Sequence, residues 1–314
     1  MSLLKYGPIM NIGEWQMKRA YFLGMLIAVV MALPPGAAAG VELKISNNTD
    51  MDLGLSLQTL GRITDFRNPN SNDADGGLDF ILRRGLLHLS GNFTDYVKFF
   101  LQTEASAATD NDPSARISDA TLNLHYRDIA QLIMGLQKPP AYRSILTDDA
   151  ALLAIDRPGI TGYNLTWGLR GRIEFDSTSL RNTNSGIHGP YRDRDLGATF
   201  FGTHSFSDML HFKYYAGIYR GIQNSRGGSD KPRFTGRVQM NLFDPEPDYD
   251  NRGTYLGTKK TIAIGYSNDT QHDVVTNLEH HSGVDYTSFN EFDLFIDYPA
   301  GPGSVTFEGS YIHT

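Results

Sequence analysis

Apolar and polar side chains alternate along most of this chain from Leu53 onward. That period of two constrains the fold more than any other feature, because residues two apart share one face of a β-strand. Phe234, Gly236, Val238, Met240 and Leu242 fall on one face of such a segment, and Thr235, Arg237, Gln239 and Asn241 on the other. Leu210, Phe212, Tyr214, Ala216 and Ile218 oppose His211, Lys213, Tyr215 and Gly217 in the same way. Phe292, Leu294, Ile296 and Tyr298 oppose Asp293, Phe295 and Asp297; Val305, Phe307, Gly309 and Tyr311 oppose Thr306, Glu308 and Ser310. Two folds satisfy this alternation. A soluble sandwich turns the apolar face into its core, whereas a membrane barrel turns it to lipid and lines water with the polar face.

Three features favour the barrel. The alternating runs are about ten residues long, as a tilted membrane crossing requires, against roughly five or six in soluble sheets. Aromatic residues gather near the strand ends (Phe93, Tyr96, Tyr126, Tyr219 and Tyr298), the position of an interfacial girdle. Connections also alternate between short and long. Short turns are predicted at 91–95, 127–130, 205–208 and 299–303, and long polar ones at 66–78, 106–115, 221–231 and 268–282. The predicted strands are 51–63, 79–91, 94–105, 116–127, 130–137, 194–204, 208–220, 233–242, 257–267, 284–298 and 303–314. The fold class is therefore all-β, a transmembrane antiparallel barrel with about eleven strands in this chain. The connection from Phe243 to Leu256 is long for its side, and Pro245 and Pro247 would stiffen it. Strand parity makes 138–193 one long connection of the constriction type, with a hairpin near Trp167–Phe175 as a possible part.

Ahead of the strands lies an apolar run from Tyr21 to Leu33, preceded by Lys18 and Arg19 and followed by Pro34, Pro35 and Ala37–Ala39. It is shorter than a spanning helix and has the three regions of a secretory signal peptide, so Sec-dependent export with cleavage after Ala39 is expected. Glu14 and Pro8 do not suit a signal peptide, which makes Met17 the expected start. Residues 1–39 are thus read as a signal peptide and 40–314 as the barrel domain. Cleavage removes Lys5, Lys18 and Arg19 with Glu14 and changes the net charge from −7 to −9. An acidic balance argues against a nucleic-acid partner. The chain has no cysteine, which excludes disulfides, thiolate metal sites and thiol nucleophiles.

Several segments resemble the phosphate-selective porin O and P family. Arg194-Asp195-Leu196-Gly197-Ala198, leading to Tyr215-Ala216-Gly217-Ile218-Tyr219-Arg220-Gly221, is similar to that family's "RD-x-G … YxAGxxNG" hairpin. The stretches 234–241, 243–247, 253–257 and 259–265 continue the resemblance in order, and Arg83–Leu86 with Leu89–Gly91 match its second strand less tightly. The likeness covers most of Met51–Thr314. It implies an outer-membrane porin of a Gram-negative-type bacterium, with about sixteen strands around an aqueous channel. It also implies a homotrimer, a surrounding of outer-membrane lipid, and passive diffusion of small hydrophilic solutes or anions, phosphate among them, without a cofactor. This sequence departs from the family in its longer 138–193 connection. It also departs in an odd strand count and an end at Thr314 instead of a terminal aromatic, so a barrel incomplete at its C-terminus is expected.

Charges in the long connection are the first candidates for a constriction: Arg143, Asp148, Asp149, Asp156 and Arg157, with Arg170 and Arg172 further on. Both signs near a pore axis would set up a transverse field, although loop charges are often merely solvated. Arg84, Lys98, Arg127, Lys213 and Arg237 are in phase to face the lumen as a basic track, while Asp293, Asp297 and Glu308 work against anion specificity. A barrel hydrolase is the enzymatic rival, and His280, His281, Ser282 and Asp285 are its only local candidates. No G-x-S-x-G or H-E-x-x-H occurs, so no catalysis is expected. The acidic run Asp244–Asp250 lacks the ligand spacing of a calcium loop. A secreted, soluble all-β binding protein remains the alternative to the porin. Mass spectrometry of the exported chain is expected to find its N-terminus at Gly40, and a retained residue 17 would refute cleavage there.

Overall fold

The computed structural model describes residues 39–46, 49–67, 74–106, 114–154, 194–221, 231–276 and 283–313. They belong almost wholly to one compact unit, Gly40–Thr314. Twelve strands form a single sheet: β1 (Ala39–Ser46), β2 (Thr49–Arg67), β3 (Ala74–Thr94), β4 (Val97–Ser106), β5 (Ser114–Tyr126), β6 (Ala130–Gln137), β7 (Asp195–Ser207), β8 (Leu210–Tyr219), β9 (Arg233–Phe243), β10 (Thr261–Thr276), β11 (Gly283–Ala300) and β12 (Gly303–His313). Each pairs with its sequence neighbours in the order β1 to β12, and among the described residues β1 does not pair with β12. From β2 to β12 every pairing is antiparallel. The all-β, antiparallel expectation therefore holds, as an uninterrupted meander.

Two expectations about the strands need correcting. One strand more is present than the eleven expected: β1, where Val41 and Leu43 alternate with Glu42 and Lys44. In addition, β10 runs on to Thr276 and β3 begins at Ala74, so much of the predicted loops 268–282 and 66–78 is strand. The polar letters misled because Asp269 and Gln271, which resemble loop residues, are buried strand residues paired on the polar face. Short turns join β3 to β4, β5 to β6, β7 to β8 and β11 to β12, all on one side as predicted.

Burial follows the alternation with an inverted sense. On β9, Arg233, Thr235, Arg237, Gln239 and Asn241 are buried while Phe234, Val238 and Met240 are exposed. On β11, Asp293, Phe295 and Asp297 are buried and Phe292 is 56% exposed. The hydrophobic core is correspondingly small: Ile133, Leu146, Phe201 and Tyr215, with Tyr249 packed on it. Phe201 and Tyr215 stack at 5.7 Å, and Tyr249 meets both edge-on at 5.1 and 5.5 Å.

The polar faces converge on a short segment after β6. A flat sheet would hold β3 and β11 roughly 38 Å apart, eight strand spacings. Yet the Arg143 backbone N–H donates to Glu291 on β11 at 2.7 Å, and nearby Asp149 lies 3.6 Å from Arg84 on β3. The intervening chain includes one turn of helix, α1 (Arg143–Leu146), and spans only about 15 Å. The sheet therefore curls around this segment with its polar face inward.

Most of the aromatic residues near the strand ends are exposed. Phe93, Tyr96, Tyr126 and Tyr298 are exposed there on or beside the apolar face. Tyr219 is the exception: it is 2% exposed, on the polar face, with its hydroxyl against that of Thr199. Its phase, one residue beyond Ile218, already places it with Lys213 and Tyr215.

Close strand approach at Gly135 gives a direct test of the register. Its φ is +130°, and a Cβ there would sit 2.1 Å from the Ala120 carbonyl oxygen. Gly135→Ala is expected to destabilise the sheet by about 1–3 kcal/mol. Urea midpoints for protein refolded into detergent micelles would measure the loss, and an unchanged midpoint would refute this packing.

Candidate functional site

The polar face is filled by two inserted segments. One follows β6: Lys138, α1, and a short 3-10 turn, Asp149–Ala151, whose N-cap Asp148 accepts from the Ala150 N–H at 3.1 Å. The other is the long connection between β9 and β10, which arrives from the short-turn side. They meet through backbone hydrogen bonds, Asp148 N–H to Asn251 O at 2.9 Å, Asn251 N–H to Leu146 O at 2.9 Å, and Gly253 N–H to Ala151 O at 2.8 Å. The connection that looked too long for a turn is thus half of the filling.

Arg143 is the hub. Its guanidinium donates to both oxygens of Glu246 at 2.9 and 3.1 Å and to Arg252 O at 3.1 Å, and lies 4.1 Å from the Phe295 ring centroid. Glu246 also accepts from Gln239, Asn241 and Tyr255 at 2.8, 3.1 and 2.8 Å. Burial alone would raise the Glu246 carboxyl; Arg143, helped by Lys213 and Asn241, reverses this and brings its pKa to about 2. The acidic run 244–250 therefore supplies a structural counter-ion. Among the described residues, no group of three or more His, Asp or Glu is placed to hold a metal.

Other buried charges are paired across strands. Arg237 on β9 reaches Asp293 on β11 at 2.6 and 2.9 Å, passing over β10 at Gly265. A Cβ at Gly265 would sit 2.4 Å from that guanidinium, so the missing side chain is what lets the pair form. Arg233 binds Asp269 through two bonds of 2.7 Å and lies 3.3 Å from Asp195. Arg194 grips Asp119 at 3.0–3.3 Å. Lys213 donates to the Asp248 carbonyl and, at 3.1 Å, to Asn251. Lys138 donates to Asp250 at 2.8 Å. Burial would lower the Lys138 pKa, but Asp250, with Asp149 and Asp119, outweighs it and the pKa is raised.

The candidate residues now have places. Arg84, Lys213 and Arg237 are buried on the polar face, and half-buried Lys98 shares that face near the turn end. Arg143, Asp148 and Asp149 join them from the inserted segment. Arg127 departs from its predicted phase: it sits in the β5–β6 turn with φ +53°. It is exposed there, 5.8 Å from the Tyr126 ring centroid, because the strand ends one residue earlier. Asp156, Arg157, Arg170, Arg172 and the Trp167–Phe175 hairpin lie outside the described residues, as do His280, His281 and Ser282 and the side chain of Asp285. Lys138, Asp119, Arg233 and Asn251 were not singled out from the sequence; Arg194 and Asp195 entered only through the resemblance, and Glu246 only within the acidic run. Arg233 was within reach, being in phase with Arg237.

Between the inserted segments and β3–β5 a cavity of about 250 Å³ remains. Among the described residues it is lined by His88, Phe100, Gln102 and Asp119 of β3–β5, by Lys138, Asp148, Asp149 and Asp250 of the inserted segments, and by Arg194 just ahead of β7. The space is wet in character, since charged and amide groups dominate it. No protein-family model matches this sequence, and comparison with curated proteins finds no match.

Removing one partner of the hub leaves a buried, unpaired charge. Glu246→Gln is expected to cost about 3–5 kcal/mol, and the double variant Arg143→Met/Glu246→Gln much less than the two single changes summed. Because the folded carboxyl titrates near 2, below the ordinary 4.5, its contribution is complete above about 4.5 and fades as pH falls through about 2. Hydrogen exchange at the Leu146 and Asn251 amides should therefore stay slow down to about pH 3 in the native protein. The same amides should exchange fast at neutral pH in Glu246→Gln.

Proposed function

We propose that this chain is a porin, a β-barrel channel of an outer membrane, through which small hydrophilic solutes diffuse passively. The observation that carries the reading is the inverted burial. Arg143, Arg233 and Arg237 are at most 1% exposed, while large apolar residues at alternate positions of successive strands face outward. Soluble proteins rarely expose contiguous apolar patches beyond a few hundred Å². A lipid surround accounts for that face, and hydrophilic passage accounts for the other. A soluble sandwich would bury Phe292, Val238 and Phe234 instead of leaving them 56, 44 and 46% exposed. No helix among the described residues is long and apolar enough to cross a membrane, which has no bearing on crossing by strands.

Closure to the family's complement of about sixteen strands, a homotrimer and Sec-dependent export to the outer membrane complete this reading. They rest on the resemblance and the signal-like N-terminus. Anion or phosphate preference has the resemblance alone behind it, since every basic residue on the described polar face whose contacts are given above is engaged by a carboxylate, carbonyl or amide oxygen. The reading needs no catalytic group and no cofactor: a polar lining and a constriction suffice.

Two measurements test it. Membranes from expressing cells should keep the protein through a high-salt wash and release it only to detergent; release into buffer would refute the channel. Val238→Arg, on the outward face of β9, is expected to cost about 2–4 kcal/mol of stability in bilayers. It should have little effect if that face meets water.

A further inference from the structure

We infer that the cavity beside Asp148 makes this channel prefer small monovalent cations, with Asp148 as the specificity-determining carboxylate. The inference rests on the channel reading above and concerns its solute. It stands on a count of charges around one defined space. The cavity is lined by four carboxylates, Asp119, Asp148, Asp149 and Asp250, and by two cations, Lys138 and Arg194.

Both cations are committed. Lys138 lies 2.8 Å from Asp250. Arg194 holds Asp119 at 3.0 Å and lies 3.8 Å from Asp149, which Arg84 approaches from behind at 3.6 Å. Among the described residues, and with Arg84 included, three cations face four carboxylates. Asp148 is the one left over: among the described residues no basic group lies within ion-pair distance of it, and its Oδ1 accepts only the neutral Ala150 N–H at 3.1 Å. It is half-buried and lines the cavity. A carboxylate in such a confined opening concentrates cations and repels anions.

His88 and Phe100 also line the space, with ring centroids 6.3 Å apart and planes 29° apart. The face of a phenylalanine ring attracts ammonium groups and not anions. At about 250 Å³ the cavity is smaller than a drug-sized site, which limits it to hydrated inorganic ions and small amines.

The test uses the full chain reconstituted in planar lipid bilayers under a KCl gradient. The reversal potential should show K⁺ favoured over Cl⁻ roughly threefold or more in about 0.1 M salt, and less in about 1 M salt, where screening shortens to about 3 Å. Asp148→Asn keeps the Oδ1 acceptor for Ala150 and removes the charge, so its permeability ratio should move toward unity. Asp148→Ser, a second capping residue, should move it equally and guards against a folding defect in the first variant. Methylammonium in place of K⁺ should be passed by the native protein and less well by both variants. Conductance steps with a Cl⁻-favouring reversal potential would overturn the inference while sustaining the channel. An unchanged ratio in both variants would remove Asp148 from the role. Absence of any steps in the native protein would overturn the channel reading and this inference with it.

Discussion

Everything in this fold depends on how a charged face is kept out of bulk water. A buried guanidinium without a partner costs several kcal/mol, so a sheet that curls with arginines inward must find counter-charges there. Cross-strand pairs supply some: Arg233 with Asp269, and Arg237 with Asp293 across the gap at Gly265. The remainder comes from chain that is not strand. Arg143 and Lys138 enter from one end of the sheet, Glu246, Asp250 and Asn251 from the other, and each set completes the other's hydrogen bonds. The small aromatic core of Phe201, Tyr215 and Tyr249 is sealed by the same meeting. Ion pairs and amide bonds, more than apolar packing, therefore set the shape of the interior.

The strands were legible because a period of two is a local property. Each residue's face follows from its neighbours two positions away, and β7 to β9, β11 and β12 match their predicted phases. Misreadings arose where polarity was taken for solvent exposure. Asp269 and Gln271 resemble loop residues but are buried strand residues, because Arg233 and the Lys231 carbonyl satisfy them. Tyr219 was read by its position near a strand end when its phase already assigned it to the polar face. Arg84, Lys213 and Arg237 were found by phase alone. Glu246 could not be found that way: its partner Arg143 is 103 residues distant, and Pro-Glu-Pro gives no hint of it. Long-range charge pairing is invisible to a local pattern.

Charge balance shows what composition alone misses. An excess of acidic residues says only that carboxylates outnumber ammonium and guanidinium groups. Where the excess lies decides the field a solute meets. Among the described residues lining the cavity, Asp119, Asp149 and Asp250 have basic neighbours, and the uncompensated carboxylate is Asp148. Basic residues in phase with the lumen suggested a track for anions. Pairing weakens that track at Arg237, because a guanidinium already chelated by Asp293 has little attraction left to offer.

The same pairing bears on whether the filling is a gate. To swing the inserted segments aside, the Arg143–Glu246 pair must break in a buried setting, at a cost of about 3–5 kcal/mol. That limits an open form to between about one molecule in two hundred and one in five thousand. Passive flux carried by so rare a state would be slight. For the proposed channel, a fixed constriction with space beside it has no such limit, and the cavity between the inserted segments and β3–β5 offers that space. On that reading, passage past Asp148 is the route that rigid packing and solute diffusion can share.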